Sequence, residues 1–235
     1  YSLFGYEYYG VNPANGNPIW VNRDAKLVQG NIANQNYYFY DPANPTLMDA
    51  TNATVFNVSD KKLLGATVPT YYGSLTNTLN YMGFDLSFMF RFSGGNKVFN
   101  RTRNDLNTQQ FQNNGVEILG RWQSADKPGD GVTPKLWYGR SNFVNLDGNT
   151  ISRYVEDGSF VKLDNVRLGY TLPKTLTRQI AIESIRIFAQ SQNLFTITKY
   201  SGLDPEMAGG TGFNGVDYNA NPIQRITSFG INVNF

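Results

Sequence analysis

The strongest constraint on the fold is a strict alternation of apolar and mostly polar side chains along residues 84–92. A period of two predicts a β-strand, because successive side chains of a strand point to opposite faces. Nine residues in a strand span about 30 Å, and a membrane-spanning strand needs roughly 9–11 residues. One face carries Phe84, Leu86, Phe88, Phe90 and Phe92, and the other carries Asp85, Ser87, Met89 and Arg91.

Residues 71–81 alternate in the same way and predict the partner strand of a β-hairpin. Met82-Gly83 lies between the two segments and can form the tight turn, because glycine readily adopts positive φ. The hairpin has an apolar face with tyrosines at its ends and a small, hydroxylated opposite face. An apolar band bounded by aromatic residues is typical of the outside of an outer-membrane β-barrel, and a polar inner face is typical of its lumen.

Further alternating segments bring the predicted total to about seven strands, with long polar stretches between some of them. Short turns that alternate with long loops are typical of outer-membrane barrels. Phe188 interrupts one alternating segment and leaves open which of its faces is apolar. The added strands are predicted at 4–11, 19–28, 165–171, 185–190 and 225–235, and the long stretches, which we expect to be extracellular, at 29–68, 94–159 and 200–222.

Seven polar side chains are candidates for the lumen-facing surface of such a barrel. The assignment follows from alternation alone and depends on the register, because a slip of one residue would turn each side chain to the other face. The candidates are Thr76, Asn80, Asp85, Ser87, Arg91, Asn165 and Arg167.

The composition excludes several classes of function. The chain contains no His and no Cys, so it has no imidazole base, no thiolate nucleophile and none of the usual zinc ligands. A net charge of +2 gives no electrostatic case for nucleic acid. The sequence contains no run of about 18 apolar residues, so it predicts no transmembrane helix. The sequence predicts neither an enzyme nor a bound cofactor.

Two motifs invite a binding function. Residues 210–215 fit the G-x-G-x-x-G pattern, but loop-forming residues flank them on both sides, whereas a dinucleotide site needs a strand before the motif and a helix after it. We therefore interpret them as a flexible loop. Asp204 and Glu206 are weak candidates for Ca²⁺. The simpler interpretation, which we favour, is an Asx-type turn before Pro205 with solvated carboxylates.

A set of short motifs in a fixed order resembles the C-terminal part of SusC/RagA-type TonB-dependent outer-membrane transporters of Bacteroidetes. Each motif alone is weak, but together they span most of residues 60–235. They are Leu119-Gly120-Arg121-Trp122, Lys127-Pro128-Gly129-Asp130-Gly131 with Thr133-Pro134, the segment from Ser152 to Leu163 with its Val155-Glu156-Asp157-Gly158-Ser159-Phe160 centre, Asn165 to Pro173, Gln192-Asn193-Leu194-Phe195, and Tyr200 to Glu206.

The resemblance implies an all-β fold, in which residues 1–235 form the C-terminal portion of a large antiparallel barrel of about 22 strands. The plug and the N-terminal barrel strands would lie outside this chain. It further implies uptake of glycans or peptides across the outer membrane of a Gram-negative bacterium, without chemistry on the substrate. The implied partners are a SusD-like surface lipoprotein, the TonB–ExbB–ExbD complex, the barrel assembly machinery and outer-membrane lipid.

The last predicted strand carries a candidate signal for barrel assembly. Its apolar side chains alternate up to a terminal aromatic residue. Outer-membrane barrels that this chain resembles end in the same pattern. The assembly machinery would read such a strand by pairing with its edge. The residues concerned are Phe229, Ile231, Val233 and Phe235.

Two other functions remain open at this point. A passive pore or a structural barrel subunit would share the same strands, and the plug and TonB-interacting segment would discriminate it from a transporter. A secreted carbohydrate-binding β-sandwich would bury the aromatic face against a second sheet. Strand length, large loops and small polar opposite faces speak against the sandwich, and extraction from the membrane would decide, because a barrel needs detergent.

Overall fold

The structure, a computed structural model, describes residues 1–109, 113–144, 146, 148–207 and 215–235. These residues are mostly β-sheet with a few short helices, and none of the helices in them is long and apolar enough to cross a membrane. The strands are β1 Ser2–Gly5, β2 Glu7–Val11, β3 Pro18–Val21, β4 Leu27–Asn31, β5 Asn36–Phe39, β6 Ala53–Thr54, β7 Lys62–Ala66, β8 Tyr71–Tyr81, β9 Phe84–Gly94, β10 Lys97–Asn100, β11 Val155–Asp157, β12 Phe160–Thr171, β13 Ser184–Thr198, β14 Val216–Asp217 and β15 Ile226–Asn234. The helices are α1 Arg101–Asp105, α2 Ser141–Val144 and α3 Lys174–Thr177, with 3₁₀ turns at Val58–Asp60, Val116–Gly120, Ser152–Tyr154, Arg178–Ile180 and Pro205–Met207.

The chain divides into two compact units, which we call the loop unit and the sheet unit. The loop unit comprises Tyr1–Val68, Lys97–Glu156 and the described residues of Ala208–Ala220. The sheet unit comprises Pro69–Asn96, Asp157–Met207 and Asn221–Phe235.

The sheet unit contains one antiparallel sheet with the strand order β15-β13-β12-β9-β8. The predicted hairpin is confirmed: β8 and β9 pair along their whole length, and Met82 and Gly83 both have positive φ, at 46° and 86°. This combination is that of a type I′ turn, whose twist matches that of the two strands. The strands have 9 to 15 residues, and the eleven residues of β9 span about 36 Å.

The connections between these strands alternate in length, as the sequence predicts. The β8–β9 turn and the segment with α3 between β12 and β13 are short, whereas residues 95–159 and 199–225 form the long connections. Because neighbouring strands are antiparallel, the short connections lie at one end of the sheet and the long ones at the other.

Of the roughly seven predicted strands, five lie in the sheet unit, whereas the predicted N-terminal hairpin belongs to the loop unit. The predicted strand 19–28 is interrupted by a turn in which the Asn22 side chain accepts the backbone N–H groups of Asp24 (3.0 Å) and Lys26 (2.8 Å). Ala25 has a φ of 59°, which no strand tolerates. The chain therefore folds into the short strands β3 and β4 and leaves five long strands in the sheet unit.

Short strands of the loop unit form a second antiparallel sheet with the order β2-β3-β4-β5-β6. All four residues of β3 are buried, which explains why this segment reads as a continuous apolar run rather than as an alternation. Trp20 and Val28 pack against Phe56 in the core of this unit. Beside it, the buried amides of Asn12 and Gln29 bind each other at 2.8 Å and bind backbone carbonyls of residues 45 and 47.

Candidate functional site

All seven predicted lumen candidates lie on one face of the five-stranded sheet, which we call the polar face. Directly paired residues of an antiparallel sheet point to the same side. The register pairs Thr76 with Met89, Asn80 with Asp85, and Ser87 with Arg167; Met89 also pairs with Asn165, and Arg91 pairs with Ser74 and Lys162.

A bulge at Asp164 gives Asn165 its place on this face. Leu163 pairs with Phe90 on the apolar face, and the next pair is Asn165 with Met89 on the polar face. One extra residue in β12 thus shifts the phase of the alternation. Six of the seven candidates, all except Arg91, line a concave region of about 680 Å³ together with Thr78, Gln190 and Gln192.

An ion pair crosses the polar face between two strands that are not neighbours. Arg186 of β13 binds Asp85 of β9 with two hydrogen bonds, Nε to Oδ1 at 2.9 Å and Nη2 to Oδ2 at 2.5 Å. The pair passes directly over Gly169 of β12, which lies between them in the sheet. A Cβ atom at Gly169 would collide with the Arg186 guanidinium and the Asp85 carboxylate. Glycine at this position is therefore required by the ion pair.

We expect Gly169→Ala to break this ion pair and to lower the free energy of unfolding of the whole protein by about 1–3 kcal/mol. Urea unfolding in detergent micelles, followed by the gel shift of the folded barrel, measures the loss. The control is the same substitution in an Asp85→Ala/Arg186→Ala background, where the collision is absent. An equal loss in that background would contradict the role of the pair.

Phe188, whose face the sequence left open, lies on the polar face. Its ring covers Gly230 of β15, where a Cβ atom would collide with it. The guanidinium carbons of Arg167 and Arg186 lie 4.7 Å and 5.3 Å from its ring centroid. The Phe188 ring interrupts the alternation of polar side chains, but the two guanidinium cations stabilise it on the polar face. Gly230 in the neighbouring strand and the two arginines are the sequence features that could have predicted the face of Phe188.

A cluster of charged residues joins segment 204–206 to the polar face near the long connections. The Lys162 side chain is 1% exposed, and its Nζ lies 3.4 Å from Asp204 Oδ2 and binds Glu206 Oε2. Arg91 binds Glu206 with two hydrogen bonds, at 2.5 Å and 3.1 Å, and lies 3.4 Å from Asp164. We call these five residues the ionic cluster.

The ionic cluster changes the interpretation of the Ca²⁺ candidates. Asp204 and Glu206 are not solvated carboxylates, because Lys162 and Arg91 occupy the positions where a cation would bind. The Asx-type turn is present, since the Glu206 N–H donates to Asp204 Oδ1 at 3.0 Å. In the described part of the chain, no group of three carboxylates could hold a metal ion. The Gly-rich motif at 210–215 lies, apart from Gly215, outside the described residues.

The Pro-Gly-Asp-Gly motif organises the loop unit. Asp130 accepts the N–H groups of Val132 (2.8 Å) and Thr133 (2.7 Å) and the Thr133 hydroxyl (2.8 Å). Burial raises the pKa of Asp130, but these hydrogen bonds outweigh it, so its pKa is below the ordinary value. Trp122 donates its indole N–H to the Pro13 carbonyl at 2.8 Å. The motif therefore fixes loop conformation.

A second charged network in the loop unit centres on Arg103. Its guanidinium binds Glu117 at 2.6 Å and 3.1 Å and Glu156 at 3.1 Å, and the Glu117 hydrogen bonds raise the pKa of Arg103. Arg103 and Arg153 both lie over the ring of Tyr154, and burial raises the pKa of Tyr154 to about 12. The ion pairs of Arg103 and the contacts of both arginines with the Tyr154 ring stabilise the loop unit.

The chain is similar to known proteins in both sequence and structure. No family model matches the chain. TonB-dependent receptor P3 of Formosa agariphila is 27% identical over 241 residues, which cover 100% of this chain and 22% of the relative. TonB-dependent receptor P39 of the same organism is 30% identical, over 77% of this chain and 18% of the relative. TonB-dependent receptor SusC of Bacteroides thetaiotaomicron is 27% identical, over 85% of this chain and 19% of the relative.

Solved structures give the same fold. The structure of the RagAB peptide transporter matches with a TM-score of 0.68 at 24% identity, over 99% of this chain and 22% of that chain. The RagAB peptide importer in its closed-closed state matches with a TM-score of 0.69 at 23% identity, over 99% of this chain and 23% of that chain. The chain thus spans about a fifth of the length of the relatives that it matches. Over its whole length the chain is therefore similar to one part of TonB-dependent receptors of the SusC/RagA type.

Proposed function

We propose that the whole protein imports a nutrient across the outer membrane, with the five long strands forming part of its barrel wall. The observation that carries this proposal is the two-faced sheet. One face is polar and concave, and the opposite face, which we call the apolar face, carries exposed aromatic and aliphatic side chains. This distribution is that of a barrel segment with lipid outside and water inside.

The apolar face is continuous across all five strands. Leu75 of β8 is 60% exposed, Leu168 of β12 is 50% exposed, and Phe229 of β15 is 81% exposed. Aromatic rings reinforce the band, with Phe84 and Tyr170 at 4.4 Å between ring centroids. A water-soluble protein rarely exposes such a patch without covering it. Outer-membrane lipid is the partner that this surface fits.

Closure of the barrel requires strands from the rest of the protein. In the described sheet β8 and β15 each have one neighbour, and an unpaired strand edge in lipid costs several kcal/mol for each unsatisfied backbone group. A barrel of about 22 strands would pair both edges. The seven candidates on the polar face would then line the lumen, and the long connections would be extracellular.

The energy source of import and the partner proteins are inferred from the similarity to TonB-dependent receptors. We infer that TonB–ExbB–ExbD drives import and that a SusD-like lipoprotein works with the barrel at the cell surface. The solute is a glycan or a peptide, and the RagAB neighbours, described as peptide transporters, favour a peptide. No chemistry on the solute is involved. Recognition of Phe229, Ile231, Val233 and Phe235 by the assembly machinery stays a prediction.

Removal of TonB separates active import from a passive pore. We expect cells that carry the whole protein to lose uptake of its nutrient, by at least about tenfold, when TonB is deleted or the proton gradient is collapsed. A strain without the whole protein gives the background, and outer-membrane levels of the protein are measured in parallel. Uptake that continues without TonB would assign the barrel to the passive pores.

A further inference from the structure

A groove on the apolar face is centred on Ala189 of β13. Ala189 pairs with Leu168 of β12 on one side and with Phe229 of β15 on the other, and Ile187 precedes it on the same face. Its methyl group is much smaller than these three side chains, so it forms the floor of a groove of about 530 Å³ between them. Both neighbours of β13 belong to the described sheet. The floor and the two walls of the groove are therefore complete within this chain.

The walls of the groove are exposed and apolar. Ile187 and Ile231 are 45% and 65% exposed, and the contacting rings of Phe84 and Tyr170 line the end nearest the short connections. The volume lies within the roughly 300–1,000 Å³ of ordinary ligand sites. A hydrocarbon chain laid along the floor would be contacted from both sides, and each methylene group that it buries adds to the binding. The shape and chemistry of the groove thus suit the acyl chain of a lipid.

Two exposed cations follow the aromatic end of the groove. Lys174 comes four residues after Tyr170, and Arg178 lies in the same short connection between β12 and β13. Among the described residues, no carboxylate lies within 4.0 Å of the side-chain nitrogen atoms of either cation. Glu183 is the one anion of residues 172–183, so this connection has a net charge of +1, from two cations and one anion. The other short connection, Met82-Gly83, carries no charge. The positive charge therefore lies at the end of the sheet that the groove approaches.

We propose that the groove binds one phospholipid with an anionic headgroup. The acyl chain lies over Ala189, and the phosphate lies near Lys174 and Arg178, where cations close to a bilayer surface attract anionic lipid. This inference rests on the proposed function, which places the apolar face in the membrane. Because the short connections of outer-membrane barrels are periplasmic, the site lies in the periplasmic half of the bilayer.

Two lipids with the same acyl chains test the headgroup contact. The probes are palmitoyl-oleoyl phosphatidylglycerol and palmitoyl-oleoyl phosphatidylcholine, added to the delipidated whole protein in a non-ionic detergent and counted by native mass spectrometry. At low ionic strength we expect the wild type to bind the first phosphatidylglycerol about tenfold more tightly than the first phosphatidylcholine. Lys174→Gln/Arg178→Gln should remove this preference. The matched control, Lys199→Gln/Arg225→Gln, removes the same charge from exposed positions at the opposite end of the sheet and should keep it.

A substitution on the floor tests the acyl-chain contact. Ala189→Phe should lower the affinity for both lipids, because the added ring fills the groove. Leu75→Phe places the same ring at an exposed position of the apolar face on β8, outside the groove, and should bind both lipids as the wild type does. The gel shift of the folded barrel shows whether each variant is folded. If Ala189→Phe does not fold, the charge variants decide alone, since their positions lie outside the strands.

A headgroup preference that persists in Lys174→Gln/Arg178→Gln overturns the proposal. Unchanged lipid binding by folded Ala189→Phe also overturns it. If that variant instead separates a dimer of the whole protein into monomers while lipid binding stays the same, the groove holds a second copy and not a lipid. Lipid binding by purified protein needs no TonB, so a negative result here leaves the import assay and the proposed function unaffected.

Discussion

Phe88→Arg is expected to destabilise the folded protein in the membrane by about 2–4 kcal/mol, the cost of an arginine that faces lipid near the bilayer midplane. Phe88 lies in the middle of β9 on the apolar face, paired with Asn77 and Val166, and it packs edge-on against Phe90. A cation there has no partner and no water. The measurement is the fraction of the whole protein that resists unfolding in cold detergent on a gel.

Met89→Arg is the matched control, because it places the same side chain one residue along the same strand. Met89 lies on the polar face between Thr76 and Asn165, where water can solvate the added charge. We expect it to cost much less than Phe88→Arg. Equal losses, or the reverse order, would show that the two faces of the sheet have been assigned the wrong way round.

Much of the sheet unit could be predicted from sequence because its strands have one apolar and one polar face. The β8–β9 hairpin, its turn and the alternation of β15 follow from a period of two. The loop unit could not be predicted in this way. Its strands, such as β3, are short and buried on both faces, so they carry no alternation, and the turn at Asn22 depends on side-chain hydrogen bonds that a hydrophobicity pattern does not contain.

The polar face shows the same contrast. Alternation indicates which side chains share a face, but the bulge at Asp164 and the place of Phe188 depend on the partner strands. Gly169 carries no signal of its own, and its role follows only from an ion pair between strands on either side of it. Contacts between residues about 100 positions apart in the chain, such as Asp85 and Arg186, are set by register and topology rather than by local sequence.

Lys162 shows most clearly what local sequence cannot reveal. In the sequence it stands as an isolated charge between Val161 and Leu163, whereas in the fold it is almost fully buried against two carboxylates from residues 204–206. Burial of a charge is costly, and the carboxylates offset that cost only while the lysine remains charged and in place. The ionic cluster thus fixes the conformation of segment 204–206 at the long-connection end of the sheet.

We therefore expect Lys162→Met to lower the free energy of unfolding by about 3–5 kcal/mol, because methionine keeps the volume but leaves Asp204 and Glu206 buried with Arg91 as their one remaining cation in the described cluster. Lys62→Met is the control: Lys62 binds Glu7 at 2.7 Å, but both side chains are partly exposed, so its loss should cost at most about 1 kcal/mol. Adding Glu206→Gln to Lys162→Met should recover part of the stability, since it removes one of the uncompensated charges. Urea unfolding of the whole protein measures all three variants. Equal effects of Lys162→Met and Lys62→Met would mean that water reaches the ionic cluster and that segment 204–206 is held by its backbone turn alone.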